Sequence, residues 1–487
     1  MSSRRLGWLA ALTLASLLEI SCGQVYRPVV IPTTLTPPNP APFHAVFGVA
    51  TNVPFNQGEA LQIDVSGDSD IGADNVGVNP THAGILPNSS RVFVASAGSM
   101  FAGDSDTVTA FTPATDSAVA TGLGTPITFS MPPGSLPDYV NTAQNSAVFV
   151  ANYGSNSVSL INLATNVITL TSPSGGVQPV ALAETFDNFH LYVLNQGSNN
   201  ITDVSPTDLT IGNTITVGNT PTWEVVRPDS QRLYAVTQGD GQLYTINVGS
   251  DTVMSNQPVG GPGANFVLFD NSRDRLYVTN PNAGAVYVFD ATSDPPTAVG
   301  TVTIAPPTLP GTTTPCTTTC SAVMPVSVAA LPDGSRFYVA SYVTAVGACP
   351  DATVAAAGCV IPQITVFNAD SLTVKTTVFP LLPATVTTQP YASAPATYCE
   401  PVTPYTPASA RFRMSAAAAV DSSRVYASVC DAGYVAIVNT TTSSTSIGGT
   451  NTPDTLVLDL NTAFGAGSPG PTGEPPLQFP IFLLTGQ

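Results

Sequence analysis

The sequence predicts an all-β chain folded as a β-propeller of four-stranded antiparallel blades, eight by repeat count. Three observations point there. A strand–turn–strand unit, clearest in AVFVANYGSNSVSLINLA (147–164), returns along the chain, and a strand unit recurring every 40–45 residues or so marks a propeller blade. An aromatic anchor sits in the first strand of each copy: Phe47, Phe93, Phe149, Tyr192, Tyr234, Tyr277, Tyr338 and Tyr426. The composition is 43% hydrophobic and only 9% charged, far below the roughly 25% charge of ordinary soluble domains. Val, Thr, Tyr and Phe favour strands over disorder, and the 45 prolines and 39 glycines serve as turn punctuation. The net charge of −18, with Lys375 the only lysine, argues against a nucleic-acid or anionic-membrane partner.

Arg4 and Arg5 precede an apolar run from Leu6 to Leu18, of signal-peptide length and too short to cross a bilayer. Residues 1–21 are therefore expected to be a signal peptide. Ser21-Cys22-Gly23 resembles a bacterial lipobox, in which a small residue precedes a cysteine that is diacylated; Glu19 stands where an apolar residue is usual. Cys22 is the expected lipidation site. The expected address is the bacterial cell envelope, lipid-anchored at the outer membrane, in the periplasm or on the cell surface, with plain secretion as the alternative. Residues 22–45, containing PVVIPTTLTPPNPAP (28–42), read as a semi-rigid tether.

The propeller is expected over residues 46–462. Each anchor lies in a strand b, as in RVFVAS (91–96), HLYVLN (190–195) and RFYVAS (336–341). A strand c follows, as in SVSLINLA (157–164) and AVYVFDAT (285–292), and in five copies it ends at the same distance from the anchor. Before each anchor a tight polar turn closes strand a: LPNSSR (86–91), RPDSQR (227–232), LPDGSR (331–336), VDSSR (420–424). Pro presets φ there and Gly permits φ > 0. Strand d, as in VITLTSP (167–173), is the weakest.

The segment FVANYGSNSVSLIN (149–162) resembles the Tyr-Val-Thr-Asn propeller repeat. The resemblance covers residues 46–462 and implies a propeller that is typically seven-bladed. Seven blades plus an irregular first unit is therefore the alternative to eight. TLVLDL (455–460) is expected to be a last a strand that pairs with the strand at Phe47 and closes the ring. Residues 463–487 read as a Gly/Pro-rich tail whose apolar end, PPLQFPIFLLTGQ (475–487), should dock somewhere.

In an up-and-down blade the a–b and c–d turns lie on one face, the b–c and d–a connections on the other. The long insertions all fall in b–c loops, after Phe47, Phe93 and Tyr338, or in the d–a connections near 305–325 and 380–412. Cys316, Cys320, Cys349, Cys359, Cys399 and Cys430 lie in or beside them. The expected disulfides are Cys316–Cys320, Cys349–Cys359 and Cys399–Cys430, among 15 possible connectivities.

Candidate chemistry is sparse. His44, His82 and His190 fall in different repeats without metal-ligand spacing. His190 occupies a turn position that holds Arg in sister repeats and is expected at the surface. Asp64, Asp68 and Asp70, with Asp74 beyond, form the densest carboxylate cluster, a weak calcium candidate read here as a solvated turn. No nucleophile elbow, P-loop or dinucleotide fingerprint is present, so no catalytic residue, metal or cofactor is assigned. The expected function is a monomeric, non-enzymatic envelope scaffold that presents its stapled loop face to a protein or glycan. The alternative, implied by the resemblance, is a propeller enzyme, a lactonase-like hydrolase or a quinone- or metal-dependent one, with its site in the central channel.

Overall fold

A computed structural model describes residues 45–51, 57–65, 68–98, 106–113, 124–308, 314–318, 320–345, 359–380, 399, 413–441, 452–461 and 479–486. These belong to the compact unit Pro40–Gln487; residues 1–39, with the expected signal peptide and Cys22, lie outside the described residues.

Eight four-stranded antiparallel sheets make an eight-bladed β-propeller. Blades are numbered along the chain, and strands a to d run outward from the axis. The a strands are Phe479–Thr485 in blade 1, then Pro80–Ile85, Pro137–Asn141, Pro179–Glu184, Pro221–Val226, Phe266–Asp270, Met324–Ala330 and Met414–Ala418. The b strands are Ala45–Thr51, Val92–Ser96, Ala147–Asn152, Leu191–Asn195, Arg232–Thr237, Arg275–Asn280, Arg336–Ala345 and Arg424–Val429. The c strands are Gln57–Asp64, Thr107–Phe111, Ser157–Asn162, Asn200–Val204, Gln242–Asn247, Ala285–Asp290, Cys359–Asn368 and Tyr434–Asn439. The outermost d strands are Ser69–Val78, Ile127–Ser130, Val167–Pro173, Ile211–Thr216, Thr252–Pro258, Thr297–Thr303, Val374–Val378 and Thr455–Asn461.

All eight aromatic anchors are fully buried, at 0% exposure. They fill the seams between stacked blades, which is why b and c strands are apolar on both faces. Strand d faces solvent, as the largely exposed Val167–Pro173 shows, and so carries the faintest pattern. The constant anchor-to-c distance also has a local cause. In the five equal b–c turns, Asn156, Asn199, Gly241, Gly284 and Gly433 all take positive φ. Only Gly and Asn enter that region cheaply, so turn type and length are fixed together.

Ring closure differs from the expectation. TLVLDL does not return to the axis; it pairs with Tyr434–Asn439 as strand d of blade 8. The closing strand is Phe479–Thr485, which pairs antiparallel with Ala45–Thr51, so the propeller continues past residue 462 to 485. The apolar end of the chain thus docks as strand a of blade 1, with Ile481 and Leu483 each 3% exposed. Each a strand packs against that of the next blade around the whole circle, leaving no open blade at the join. Among the described residues, no helix is long and apolar enough to cross a membrane.

Candidate functional site

Six of the a strands begin with a shared device. Pro80, Pro137, Pro179, Pro221, Pro325 and Pro480 each precede a register shift against strand b. Proline is tolerated because strand a is the inner edge of its sheet and needs no second ladder. Two residues on from these prolines stand His82, Tyr139, Ala181, Trp223, Ser327 and Phe482.

The large ones meet. His82 stacks on Tyr139 with ring centroids 3.8 Å apart and lies 4.5 Å from Phe482. Trp223 packs edge-on to Tyr139 at 5.5 Å and against Phe266 at 5.2 Å. Rings from blades 1, 2, 3, 5 and 6 thus form a plug among the a strands. The backbone N–H of Val140 donates to His82 Nδ1 at 3.4 Å, which places the proton of a neutral ring on Nε2. His82 is 5% exposed and belongs to this packing.

Beside the plug is a cup of about 810 Å³, lined by a-strand residues of blades 1, 2, 3, 6, 7 and 8. Gly84, Leu268, Ala329, Ala417 and Leu484 shape its wall, and besides Tyr139 its ionisable lining groups are His82 and Asp270. Asp270 Oδ1 accepts from the backbone N–H of Ser272 at 2.9 Å and from its hydroxyl at 2.5 Å, so it is committed to its own turn. The lining runs through the C-terminal ends of the a strands, so the cup opens on the a–b face.

The opposite face carries the disulfides. Cys316–Cys320 staples the connection between blades 6 and 7, and an antiparallel bridge from Cys320 to Ala345 lays it against the end of strand b of blade 7. Cys399–Cys430 ties the connection between blades 7 and 8 to the 3₁₀ turn Cys430–Ala432, which follows strand b of blade 8. Both staples therefore sit where b–c and d–a connections gather. Cys349 lies outside the described residues; Cys359 begins strand c of blade 7, opposite Ala345.

Asp64 ends strand c of blade 1, opposite Ser69, and Asp70 lies in strand d opposite Ile63. Asp68 meets Arg424 of blade 8 at 3.0 Å and the Tyr426 hydroxyl at 3.3 Å. The Asp68 carboxylate is thus taken up by an interblade ion pair, and the solvated-turn reading fails for it because it is buried. His44 is outside the described residues. His190 keeps a partly exposed side chain, 30% by area, and its Nδ1 lies 3.0 Å from Asp203 Oδ2.

Two acids escaped sequence reasoning, and both lie on a strands. Glu224 is buried, and burial holds its carboxyl well above the usual range. Burial also pushes Glu184 up to about 7, against the opposing pull of the Gln144 amide, which donates to Oε1 at 2.5 Å. Unfolded, this carboxyl ionises near its usual value of 4.5; folded, it keeps its proton to about pH 7. The folded state binds more protons across that window, so stability falls as pH rises through it. Glu184→Gln removes the slope. Its Tm should gain on that of the parent between pH 5 and pH 7, by up to about 3 kcal/mol of stability; parallel Tm–pH curves would refute this.

No protein-family model matches the chain. An uncharacterized protein of Bacillus subtilis (strain 168), YwhL, is 32% identical over 171 residues, covering 34% of this chain and 35% of YwhL; the chain thus spans about a third of that relative's length. Among solved structures, the dihydro-heme d1 dehydrogenase NirN, in complex with DHE, superposes with a TM-score of 0.56 at 11% identity, covering 90% of this chain and 78% of NirN. The periplasmic gluconolactonase PpgL of Pseudomonas aeruginosa gives 0.49 at 13% identity, covering 68% of this chain and 94% of PpgL. Hydrazine synthase of Kuenenia stuttgartiensis gives 0.47 at 17% identity, covering 68% and 88%. The likeness to NirN is one of fold.

Proposed function

We propose that this protein is an exported, non-catalytic recognition propeller of the Tyr-Val-Thr-Asn repeat type, which binds a protein or glycan through its stapled rim. The observation that carries the reading is the placement of both disulfides on one face, at blades 7 and 8. A stable ring needs no such staples for its core, whereas long connections without a core of their own do, and rigid loops lose less entropy on binding. Disulfides also fit an oxidising, exported compartment, with Cys22 as the lipid attachment point. The channel-enzyme alternative draws less support, because the plug is built of packed rings and Asp270 is taken up by its turn.

The test is capture from an envelope extract by the mature chain and by a variant with residues 309–319 and 346–358 replaced by short Gly-Ser linkers. Loss of the captured partner supports the rim; equal capture by both counts against it. Radiolabelled fatty acid should appear on the parent chain and vanish in Cys22→Ala; an unlabelled parent refutes the anchor.

A further inference from the structure

A repeated latch holds neighbouring blades together, and one seam departs from it. Two residues ahead of the anchor stand Arg91, Arg232, Arg275, Arg336 and Arg424. Each reaches the c–d turn of the next blade. Arg91 donates to Asn166 Oδ1, and Arg275 to the carbonyl of Ala369. Arg232 pairs with Asp294 at 2.8 Å, Arg424 with Asp68 at 3.0 Å, and Arg336 with Asp454. In the acidic latches every turn carboxylate meets at least one guanidinium, and Asp294 meets a second from Arg227 while Asp454 also meets Lys375.

Between blades 4 and 5 the arginine position holds His190, and the c–d turn supplies Asp251. A second carboxylate is added. Asp203 lies opposite the anchor Tyr192, where the other tyrosine-anchored blades place Thr245, Val288, Val366 and Ile437. One imidazole therefore faces two carboxylates, and their ligand atoms all lie within 4.8 Å of one another. His190 Nδ1 and Asp203 Oδ2 are 3.0 Å apart, while ligands of one tetrahedral zinc ion stand about 3.4 Å apart given metal–ligand bonds of ~2.1 Å. Asp203 Oδ1 is buried with no hydrogen-bond partner. Asp251 is oriented as metal-binding carboxylates are: the Tyr192 hydroxyl donates to Oδ1 at 2.8 Å and the Asn213 amide to Oδ2 at 3.0 Å.

We infer that His190, Asp203 and Asp251 form a site for a divalent transition-metal cation of the zinc type, which clamps blades 4 and 5 as arginine clamps sister seams. One imidazole nitrogen and two carboxylate oxygens suit such an ion. Its two charges neutralise the pair of aspartates that no guanidinium is seen to meet. The partial exposure of His190, 30% by side chain, leaves room for water in the fourth position.

The test uses the full mature chain, stripped with EDTA and titrated with zinc chloride, reading bound zinc by equilibrium dialysis and Tm by calorimetry. The parent should bind zinc and gain several degrees in Tm, since a ligand specific to the folded state stabilises it by mass action. His190→Arg restores the sister latch; it should bind one equivalent less and lose the zinc-dependent gain, while melting no lower than the stripped parent. Asp203→Val, which restores a sister side chain, should lose the same equivalent and decides the matter if His190→Arg does not fold. Tyr192→Phe should weaken zinc binding about tenfold. No zinc-dependent gain in the parent, or an equal gain in both His190→Arg and Asp203→Val, would overturn the site.

Discussion

Ending the chain at residue 478 should abolish its single cooperative unfolding transition. The missing segment is strand a of blade 1, which pairs with Ala45–Thr51 along its length and packs on the a strands of blades 2 and 8. Ile481 and Leu483 are buried in two different core clusters, and Phe482 touches His82 in the plug. Losing three large apolar side chains removes roughly 5–9 kcal/mol of burial at ~1.5–3 kcal/mol each, comparable with the whole net stability of a typical domain. The exposed edge of Ala45–Thr51 then becomes a template for pairing with other chains. Urea unfolding followed by fluorescence and by size-exclusion chromatography should show an early, broad transition and oligomers. A monomer with an unchanged midpoint would refute the closure. Leu483→Ala, which leaves the strand in place, should cost about 2–5 kcal/mol.

Asp454→Asn should be the most damaging single change in the interblade latches. The Asp454 side chain is completely buried and meets Arg336, Lys375 at 2.6 Å and the Tyr338 hydroxyl. It also has positive φ, at 62°, which Asn tolerates better than Ala, so the substitution isolates the charge. Arg336 is only 12% exposed; without its counter-charge it is left half-desolvated, and breaking such a pair costs roughly 3–5 kcal/mol. The contrast is Asp229→Asn. Asp229 pairs with Arg227 at 2.9 Å but is 49% exposed, and solvent-exposed pairs contribute under about 1 kcal/mol. Chemical denaturation of both variants should separate them by several-fold in lost stability; equal losses would show that the latches do not hold the blades.

The blades were legible because their signal is local. An aromatic anchor, an Asn or Gly with positive φ and a tight a–b turn all lie within one repeat, and each has a steric cause. The closing strand was not legible for the opposite reason. TLVLDL has the apolar content of an inner strand but follows strand c directly and takes the adjacent place, while the true closing strand lies beyond residues 462–478. The plug left a trace that was available: an aromatic or His two residues after proline at Pro80, Pro137, Pro221 and Pro480. That trace alone does not say that the rings meet, because they come from blades 1, 2, 3 and 5 and only folding stacks them. The latches had half a trace. Arginine ahead of the anchor is visible in five repeats, but its partner lies on the next blade and only folding brings the two together. His190 stands out in the sequence as the departure from that arginine, yet nothing in the sequence joins Asp203 and Asp251 to it.

The two ends of the propeller sequence meet in one blade. Hydrogen–deuterium exchange of the native chain, read on peptides spanning residues 479–485 and 45–51, tests it most directly. Slow exchange is expected in both segments, matching interior strands such as Arg275–Asn280, with joint loss of protection in 45–51 when 479–487 is removed. Exchange of 479–485 at free-chain rates in the intact protein, with 45–51 still protected, would contradict it.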